Sequence, residues 1–231
     1  MIFKDKTVII TGASEGVGAA TARMFAEAGA NLMLVARTKK NLEAVAEQLR
    51  DKSRVEIFAM DVADAEACVD LFKKTQFEFG QVDILINNAG ILRRDQFGSI
   101  DYDTMLEQYQ VNTLGPLRVC EALADNLHEG SKVAIVTSRV GSIEDNGSGG
   151  NWGYRASKTA VNMIGTNLMH QLKPSGIAVA LLHPGLVATD MTSQHGISPA
   201  DSASGLIDRI DELNMSNSGS FWHAEGYALP W

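Results

Sequence analysis

The sequence TVIITGASEGVG, residues 7–18, joins a short run of β-branched apolar residues to a glycine-rich turn. Immediately behind it, Val17, Thr21 and Met24 recur at the spacing of one helix face. Gly29 then stands where a helix commonly ends. The stretch therefore predicts a strand, a tight turn and a helix, in that order.

The same alternation of strand and helix continues along the chain, which is typical of a parallel sheet flanked by helices. Strands are predicted at residues 7–10, 31–36, 54–60, 82–86, 132–137 and 177–183. Further helices are predicted at residues 39–50, 64–79, 101–110, 117–127, 153–172 and 199–213. No change of composition marks a linker. We therefore predict one doubly wound α/β domain, residues 1–231, with a mostly parallel sheet of about seven strands.

Composition argues against several classes of protein. The 231 residues carry a formal net charge of -8, which would repel the phosphates of a nucleic acid. No apolar run approaches the roughly 20 residues that a membrane-spanning helix needs. The first residues show no secretory signal. We therefore expect a cytoplasmic protein without nucleic-acid or membrane partners.

Neither the cysteines nor the histidines indicate a metal site. Cys68 and Cys120 lie in helix-like apolar patterns, far from any partner at ligand spacing, so both are interpreted as buried packing residues. The five histidines show no ligand spacing either. No metal is therefore expected.

The glycine-rich turn has the features of a phosphate-binding loop. Its glycines follow the spacing G-x-x-x-G-x-G, directly between a strand and a helix. Glycines let the backbone approach a pyrophosphate, while the N-terminus of the helix presents free N–H groups. We predict that the turn binds a dinucleotide through Gly12, Ser14, Glu15, Gly16, Val17 and Gly18.

The residues after the second predicted strand favour a phosphorylated dinucleotide. Sites for NAD normally carry a carboxylate there, which binds the ribose 2′-hydroxyl. This sequence has no carboxylate between Asn31 and Asn41, and Arg37 offers a planar fork that suits a 2′-phosphate. NADP(H) is therefore favoured over NAD(H).

Tyr154 and Lys158 are spaced so that a phenol and an ammonium lie on one face near the start of a predicted helix. A phenol has an ordinary pKa of about 10, so its use near neutrality requires about 4 kcal/mol of stabilisation of its anion. One ammonium at about 4 Å supplies on the order of 4 kcal/mol in a partly screened site. We therefore predict that Lys158 lowers the pKa of Tyr154 and that Tyr154 is a general acid or base.

Other polar residues follow predicted strands. Ser138 ends the fifth strand, where a hydroxyl can hydrogen-bond a substrate carbonyl. Asn88 lies in the motif NNAG after the fourth strand, and Asn112 lies in the motif VNTLGP. Together with the glycine loop and the Y-x-x-x-K spacing, and in this order, these motifs resemble the short-chain dehydrogenase/reductase family across nearly the whole chain.

This resemblance implies a Rossmann fold and a catalytic tetrad of Asn112, Ser138, Tyr154 and Lys158. Asn112 would hold a water that relays protons to Lys158, and Lys158 would also bind the nicotinamide ribose. The resemblance further implies that the cofactor is held by Asp61, Val62, Asn88, Ala89, Gly90, Tyr154, Lys158, Pro184, Gly185, Val187 and Thr189.

The function implied by the resemblance is NADP(H)-dependent interconversion of a ketone or aldehyde and an alcohol, on a small-molecule substrate, in a homodimer or homotetramer. The stretch 141–152 separates Ser138 from Tyr154 by more residues than is usual in the family. It looks like the C-factor and Sniffer-like carbonyl reductase subgroup, and the final GYALPW agrees.

Several alternatives stay open. The protein could be a signalling or redox-sensing protein with little turnover, or an NAD-dependent dehydrogenase of the same fold, since Glu15 replaces a basic residue that many NADP-dependent relatives carry.

The stretch 190–220 is expected to cover the substrate pocket. Two sets of apolar residues have two interpretations each. Val161, Ile164, Gly165 and Leu168 face either a partner subunit or the core, and Trp152, Phe221, Trp222 and Trp231 either border the pocket or only pack.

Overall fold

A computed structural model describes residues 3–231, and a seven-stranded sheet forms the centre of this part of the chain. The strands pair in parallel throughout, in the order β3-β2-β1-β4-β5-β6-β7. They are β1 (Thr7–Thr11), β2 (Asn31–Ala36), β3 (Val55–Ala59), β4 (Val82–Asn87), β5 (Leu127–Val136), β6 (Ala178–His183) and β7 (Ser220–His223). Met1 and Ile2 of the predicted domain lie outside the described residues.

Seven α-helices of the described residues connect these strands and flank the sheet. They are α1 (Gly16–Glu27), α2 (Lys39–Glu47), α3 (Ala65–Glu78), α4 (Tyr102–Tyr109), α5 (Gly115–Leu123), α6 (Trp152–Leu172) and α7 (Pro199–Glu212). Within residues 3–231, no helix is long and apolar enough to cross a bilayer.

Both faces of the sheet are buried, because successive side chains of a strand point to opposite faces. On β1, Val8 and Ile10 pack against residues of α1, α2 and α7, whereas Ile9 packs against α3, α5 and α6. A strand that is covered on both faces must be apolar at nearly every position. This explains the continuous apolar runs in the sequence, and the predicted doubly wound α/β fold is confirmed.

The apolar positions of α6 resolve one of the open alternatives. Val161 and Leu168 are buried in the core on the α3 side of the sheet, and Ile164 packs against it. A Cβ atom on Gly165 would lie 2.7 Å from the side chain of Leu181 on β6, so the helix is pressed against its own sheet there. These residues therefore belong to the intrachain core, and the predicted homo-oligomer stays a prediction.

Two strands differ from the predictions. The predicted helix at 117–127 ends early, because α5 stops at Leu123, a 3₁₀ turn follows at Ala124–Asn126, and β5 begins at Leu127. Leu127 already pairs with Val82, before a register shift that leads to the pairing of Ile84 with Lys132. The edge strand β7 was not predicted, because its four residues are too few to show a period.

The cysteine prediction is confirmed. Cys68 and Cys120 are both buried in the core on the α3 and α5 side of the sheet, and each is a free thiol. Burial raises the pKa of Cys68 to about 11 and that of Cys120 to about 12. Both are therefore packing residues with inert thiols.

A turn of π-helix, Gln110–Leu114, joins α4 to α5 without a break. The sequence predicts two separate helices here, at residues 101–110 and 117–127. Pro116 lacks an N–H and is tolerated in the first turn of α5. Turns of this kind occur often at functional sites, and this one carries Asn112.

Candidate active site

A cavity of about 840 Å³ opens at the carboxyl ends of the strands. It lies where the strand order reverses between β1 and β4, which is the usual position of a ligand in a doubly wound sheet. Every residue predicted above to bind cofactor lines this cavity, and so do Ser138, Tyr154 and Lys158. Asn112 alone of the predicted site residues lies behind its wall. The catalytic and binding roles of these residues stay predictions.

The glycine loop between β1 and α1 leaves no room for side chains at two positions. Gly12 has a φ of +67°, and a Cβ atom there would lie 2.9 Å from the Cα atom of Ala89. A Cβ atom on Gly18 would overlap the carbonyl oxygen of Gly12. The backbone of the loop is therefore bare at the cavity, as a closely approaching pyrophosphate requires.

The N-terminus of α1 points its free N–H groups toward this loop. The side chain of Glu15, at the N-cap, makes no capping hydrogen bond, and the first turn contains no acidic residue. Uncapped N–H groups and the helix dipole together favour an anion at this end.

Asn88 and Thr11 tie the end of β4 to the end of β1. The side-chain amide of Asn88 donates hydrogen bonds to the carbonyl oxygens of Thr11 and Gly12, at 3.1 and 3.2 Å. The hydroxyl of Thr11 accepts hydrogen bonds from the backbone N–H groups of Asn88 and Ala89, both at 3.0 Å. Thr11 was missed, because only the pairing of β1 with β4 brings it beside the NNAG motif.

Arg37 and Asp61 lie at the ends of β2 and β3, farther along the cavity. The guanidinium of Arg37 is exposed, and the first turn of α2 beside it contains no acidic residue. One oxygen of Asp61 accepts a hydrogen bond from the N–H of Ala63 at 2.9 Å, which fixes the turn before α3. The glycine loop, the uncapped N-terminus of α1 and Arg37 together suit an elongated ligand with phosphate groups.

Tyr154 and Lys158 lie on one face of α6, as their spacing predicts. The ammonium of Lys158 is 5.8 Å from the centroid of the Tyr154 ring and donates a hydrogen bond to the carbonyl of Val136 at 3.0 Å. Lys158 is only 4% exposed, and burial lowers the pKa of its ammonium to about 8. Ser138 follows β5 and approaches the phenol of Tyr154.

The predicted lowering of the pKa of Tyr154 is wrong for the chain by itself. Burial raises the pKa of the phenol to about 12, and a hydrogen bond with Ser138 offsets only part of this rise. The physical reason is that the ammonium of Lys158 lies over the ring and is bonded to Val136, so burial outweighs the attraction that the spacing alone suggested.

Asn112 supports the site from behind. Its amide group donates to the carbonyl of Ile91 at 2.9 Å and to the hydroxyl of Ser157 at 3.0 Å, while its oxygen accepts from the N–H of Ile91 at 2.8 Å. The hydroxyl of Ser157 in turn donates to the carbonyl of Tyr154 at 2.8 Å. The side chain of Asn112 therefore positions both the segment after β4 and the first turn of α6.

Asp95 caps α6 from a distance in the sequence. Its two carboxylate oxygens accept hydrogen bonds from the N–H groups of Trp152 and Gly153, at 2.7 and 2.8 Å. Asn151 stands at the N-cap in a left-handed conformation and makes no capping hydrogen bond. The sequence shows no local sign of this cap, because the donor groups lie more than fifty residues away from Asp95.

The stretch before α6 is held by two arginines that directly follow predicted catalytic residues. Arg139 forms an ion pair with Asp145. Arg155 donates to the carbonyl of Gly149 at 3.0 Å and to the hydroxyl of Ser148 at 2.8 Å. This stretch is therefore held beside Ser138 and Tyr154, and Arg139, Val140 and Asn151 at its two ends line the cavity.

The aromatic residues that sequence reasoning left open pack outside the cavity. Trp152 lies 5.5 Å from Phe97 and Trp231 lies 5.5 Å from Phe221, between ring centroids, and neither pair lines the cavity. From the stretch 190–220, the cavity is lined only by Asp190, Met191, Thr192, Gln194 and Pro199.

His183, at the end of β6, lines the cavity and was missed. Its Nδ1 atom is buried without a hydrogen-bond partner among residues 3–231. Burial, and secondarily the nearby His223, lower its pKa to about 3, so the imidazole is neutral. Across the described chain, no group of three or more His, Cys, Asp or Glu side chains could hold a metal ion.

Comparisons with known proteins agree with this geometry. The family model for short chain dehydrogenases matches residues 6–198. The chain is 40% identical over 230 residues to the 1-hydroxy-2-glutathionyl-2-methyl-3-butene dehydrogenase of Rhodococcus sp. (strain AD45), which covers 97% of this chain and 99% of that protein. It is 44% identical over 156 residues to the C-signal of Myxococcus xanthus, which covers 66% of this chain and 94% of that protein.

Two solved structures show the same architecture. The carbonyl reductase Sniffer of D. melanogaster has a TM-score of 0.88 and 25% sequence identity, covering 99% of this chain and 100% of that chain. A short chain dehydrogenase from Burkholderia cenocepacia J2315, solved in complex with NADP, has a TM-score of 0.87 and 26% identity, covering 96% and 97%. The predicted likeness to C-factor and Sniffer-like proteins is confirmed by these matches.

Proposed function

Because the chain belongs to the short-chain dehydrogenase/reductase family, we propose that it is an NADP(H)-dependent enzyme that interconverts a carbonyl compound and an alcohol. One observation carries this proposal. Tyr154, Ser138 and Lys158 line the same cavity as a bare glycine loop and a free helix N-terminus. The cavity therefore combines a proton-exchanging group with a place for a phosphorylated dinucleotide.

The residues present fit a dinucleotide. Gly12, Gly16 and Gly18, with the N-terminus of α1, would hold its pyrophosphate, because the loop has no room for a Cβ atom at Gly12 or Gly18 and Gly16 has a φ of +52°. When bound, the reduced cofactor would supply the hydride that is added to the carbonyl carbon, and the oxidised cofactor would accept the hydride that leaves the alcohol carbon. The protein supplies binding, orientation and proton transfer.

Tyr154 is the residue that exchanges the proton. With a pKa raised to about 12, its phenol carries a proton at ordinary pH and donates it to the carbonyl oxygen during reduction. Ser138 hydrogen-bonds the same oxygen and orients it. Lys158, with a pKa lowered to about 8, returns a proton to the phenol after each turnover. Alcohol oxidation uses the same groups in reverse.

Asn112 acts through its neighbours. Its hydrogen bonds hold the backbone of Ile91, after β4, and the hydroxyl of Ser157, the residue before Lys158 on α6. We infer that Asn112 keeps the ammonium of Lys158 and the phenol of Tyr154 aligned. A water bound beside Asn112 would relay protons to Lys158.

NADP(H) is favoured over NAD(H) because Arg37 is an exposed cation at the end of β2, where NAD sites normally place a carboxylate. The structural relative from Burkholderia cenocepacia was solved with NADP, which supports the same preference. The names of two relatives point to opposite directions of the reaction. The Rhodococcus relative is named as a dehydrogenase of a hydroxy compound, and Sniffer as a carbonyl reductase.

The test is an absorbance assay of NADPH oxidation with a panel of ketones, aldehydes and quinones, repeated with NADH. We expect turnover of at least one carbonyl class, with higher kcat/KM for NADPH. A protein that binds NADPH saturably but oxidises it with no member of the panel, and reduces NADP⁺ with no alcohol, would instead be a cofactor-binding signalling protein. The similarity to C-signal is the observation that favours that second candidate.

A further inference from the structure

Arg94 is a cation on the wall of the cavity that none of the steps above uses. It is exposed, and it lines the cavity together with Leu92, Ser138, Arg139 and Tyr154. Among residues 3–231, its guanidinium has no hydrogen-bond or ion-pair partner within bonding distance. A planar, permanently charged group at this position is available to a ligand.

The side chains on either side of Arg94 are engaged elsewhere. The guanidinium of Arg93 forms two hydrogen bonds with the carboxylate of Glu107 on α4, both at 3.1 Å. The carboxylate of Asp95 binds the N-terminus of α6 at Trp152 and Gly153. Both neighbouring side chains are therefore turned onto helices, while Arg94 between them faces the cavity.

The same contacts place Arg94 at the substrate end. Asp95 caps the helix whose first turn carries Tyr154, so residue 94 lies beside the proton-exchanging group. Arg37 and Asp61, by contrast, lie at the ends of β2 and β3, on the other side of the glycine loop. Arg94 therefore lies at the Tyr154 end of the cavity and not at the end where the 2′-phosphate is proposed to bind.

The other arginines around this end are already paired. Arg139 forms an ion pair with Asp145, and Arg93 with Glu107. Asp190, a carboxylate that also lines the cavity, accepts a hydrogen bond from Gln194 at 2.7 Å. Arg94, unlike Arg93 and Arg139, forms no ion pair with a carboxylate of residues 3–231.

We propose that Arg94 binds a carboxylate of the substrate, so that the enzyme prefers carbonyl compounds that carry a negative charge. The guanidinium offers two parallel N–H groups that match the two oxygens of a carboxylate. This inference rests on the proposed function and adds the substrate class to it.

The experiment compares three carboxylates with their uncharged methyl esters, using 4-oxopentanoate, 4-acetylbenzoate and 4-formylbenzoate. We expect the wild-type enzyme to prefer at least one carboxylate over its ester in kcat/KM, through a lower KM. In Arg94→Gln, this ratio should fall by about tenfold or more, as the loss of a charge-assisted hydrogen bond implies. Arg94→Lys should retain part of the preference, and added salt should reduce it.

Arg93→Gln is the matched control, because it removes a neighbouring arginine that is already paired with Glu107. Its carboxylate-to-ester ratio should equal that of the wild type. Equal use of all acids and esters by the wild type, or an equal loss for both in Arg94→Gln, would overturn the inference and leave the proposed function intact.

A binding measurement keeps the inference separate from turnover. Calorimetric titration of 4-(hydroxymethyl)benzoate and of its methyl ester into the enzyme with NADPH needs no reaction. Tighter binding of the acid in the wild type, lost in Arg94→Gln, supports the carboxylate site even if the panel shows no turnover. Equal binding of acid and ester by both proteins refutes it.

Discussion

At the scale of single residues, the site depends on two buried groups whose charges are set by their surroundings. Lys158 is nearly inaccessible, and burial lowers the pKa of its ammonium to about 8. The phenol of Tyr154 has its pKa raised to about 12 by the same effect. The spacing of the two residues was readable from the sequence, but the balance between burial and attraction depends on where the ammonium lies relative to the ring.

These pKa values predict opposite pH profiles for the two directions of the reaction. Reduction consumes a proton, so its kcat/KM should be constant below pH 8 and fall above it, as Lys158 loses its proton. Oxidation releases a proton, so its kcat/KM should rise as the pH increases through 8. Measurement of both profiles checks this. A reduction rate that increases above pH 8 would contradict the proposed roles.

Lys158 should also lower the stability of the folded protein. A folded-state pKa of about 8 against an ordinary value of 10.5 means that the charged form is disfavoured by folding, by about 3 kcal/mol below pH 8. Loss of the hydrogen bond to Val136 costs about 1 kcal/mol. Lys158→Met should therefore raise the free energy of unfolding by about 2 kcal/mol at pH 7.

The stability gained by Lys158→Met should depend on pH. The unfolded chain binds more protons at Lys158 than the folded chain between pH 8 and 10.5, so the wild type gains stability as the pH rises through that range. The advantage of Lys158→Met should shrink accordingly. Urea denaturation without cofactor at pH 7 and near pH 10 measures it, and an advantage that grows with pH would contradict the buried, charged lysine.

Arg37 offers a test of cofactor choice. Arg37→Asp replaces the proposed partner of the 2′-phosphate by the carboxylate that suits a ribose hydroxyl. The ratio of the Kd values for NADPH and NADH should shift toward NADH by about tenfold to a hundredfold. Lys40→Asp, which changes the charge equally but lies outside the cavity, serves as the control. Equal shifts in both variants would indicate a general charge effect.

At the scale of elements, the start of α6 is the point where structure adds most to the sequence. The helix, its Tyr154 and its Lys158 were predicted, because periodicity and spacing are local properties. Its cap was not, because Asp95 comes from the segment after β4. The π-helical turn around Asn112 was missed for a related reason, since it depends on how α4 continues into α5.

Removal of this cap should affect stability and catalysis together. Asp95→Ala leaves the N–H groups of Trp152 and Gly153 without a partner, which should cost about 1–2 kcal/mol. Because Tyr154 lies in the same turn, kcat should fall by about tenfold or more. Asp101→Ala removes the cap of α4, at the N–H groups of Asp103 and Thr104. Asp101→Ala should lose similar stability but keep its kcat. A loss of kcat as large as that of Asp95→Ala would contradict the link between the Asp95 cap and Tyr154.

At the scale of the whole molecule, the order of the strands determines which residues meet. The glycine loop, the NNAG motif and Ser138 follow three neighbouring strands, β1, β4 and β5. These segments are far apart in the sequence but lie side by side at one edge of the sheet. This much follows from the alternation of strands and helices and the parallel-sheet rule. What could not be predicted was set by long-range contacts, such as Thr11 with Asn88, or by elements too short to show a period, such as β7.

We propose that the phenol of Tyr154 transfers the proton while the rest of the cavity holds the cofactor. The most direct measurement is a single-turnover reaction of the NADPH complex with a carbonyl substrate, for Tyr154→Phe and for Tyr109→Phe, which changes an exposed tyrosine on α4. We predict that Tyr154→Phe still binds NADPH, through the rest of the cavity, but reacts at least about 100-fold more slowly, while Tyr109→Phe reacts normally. A Tyr154→Phe enzyme that reacts within threefold of the wild-type rate would contradict the account.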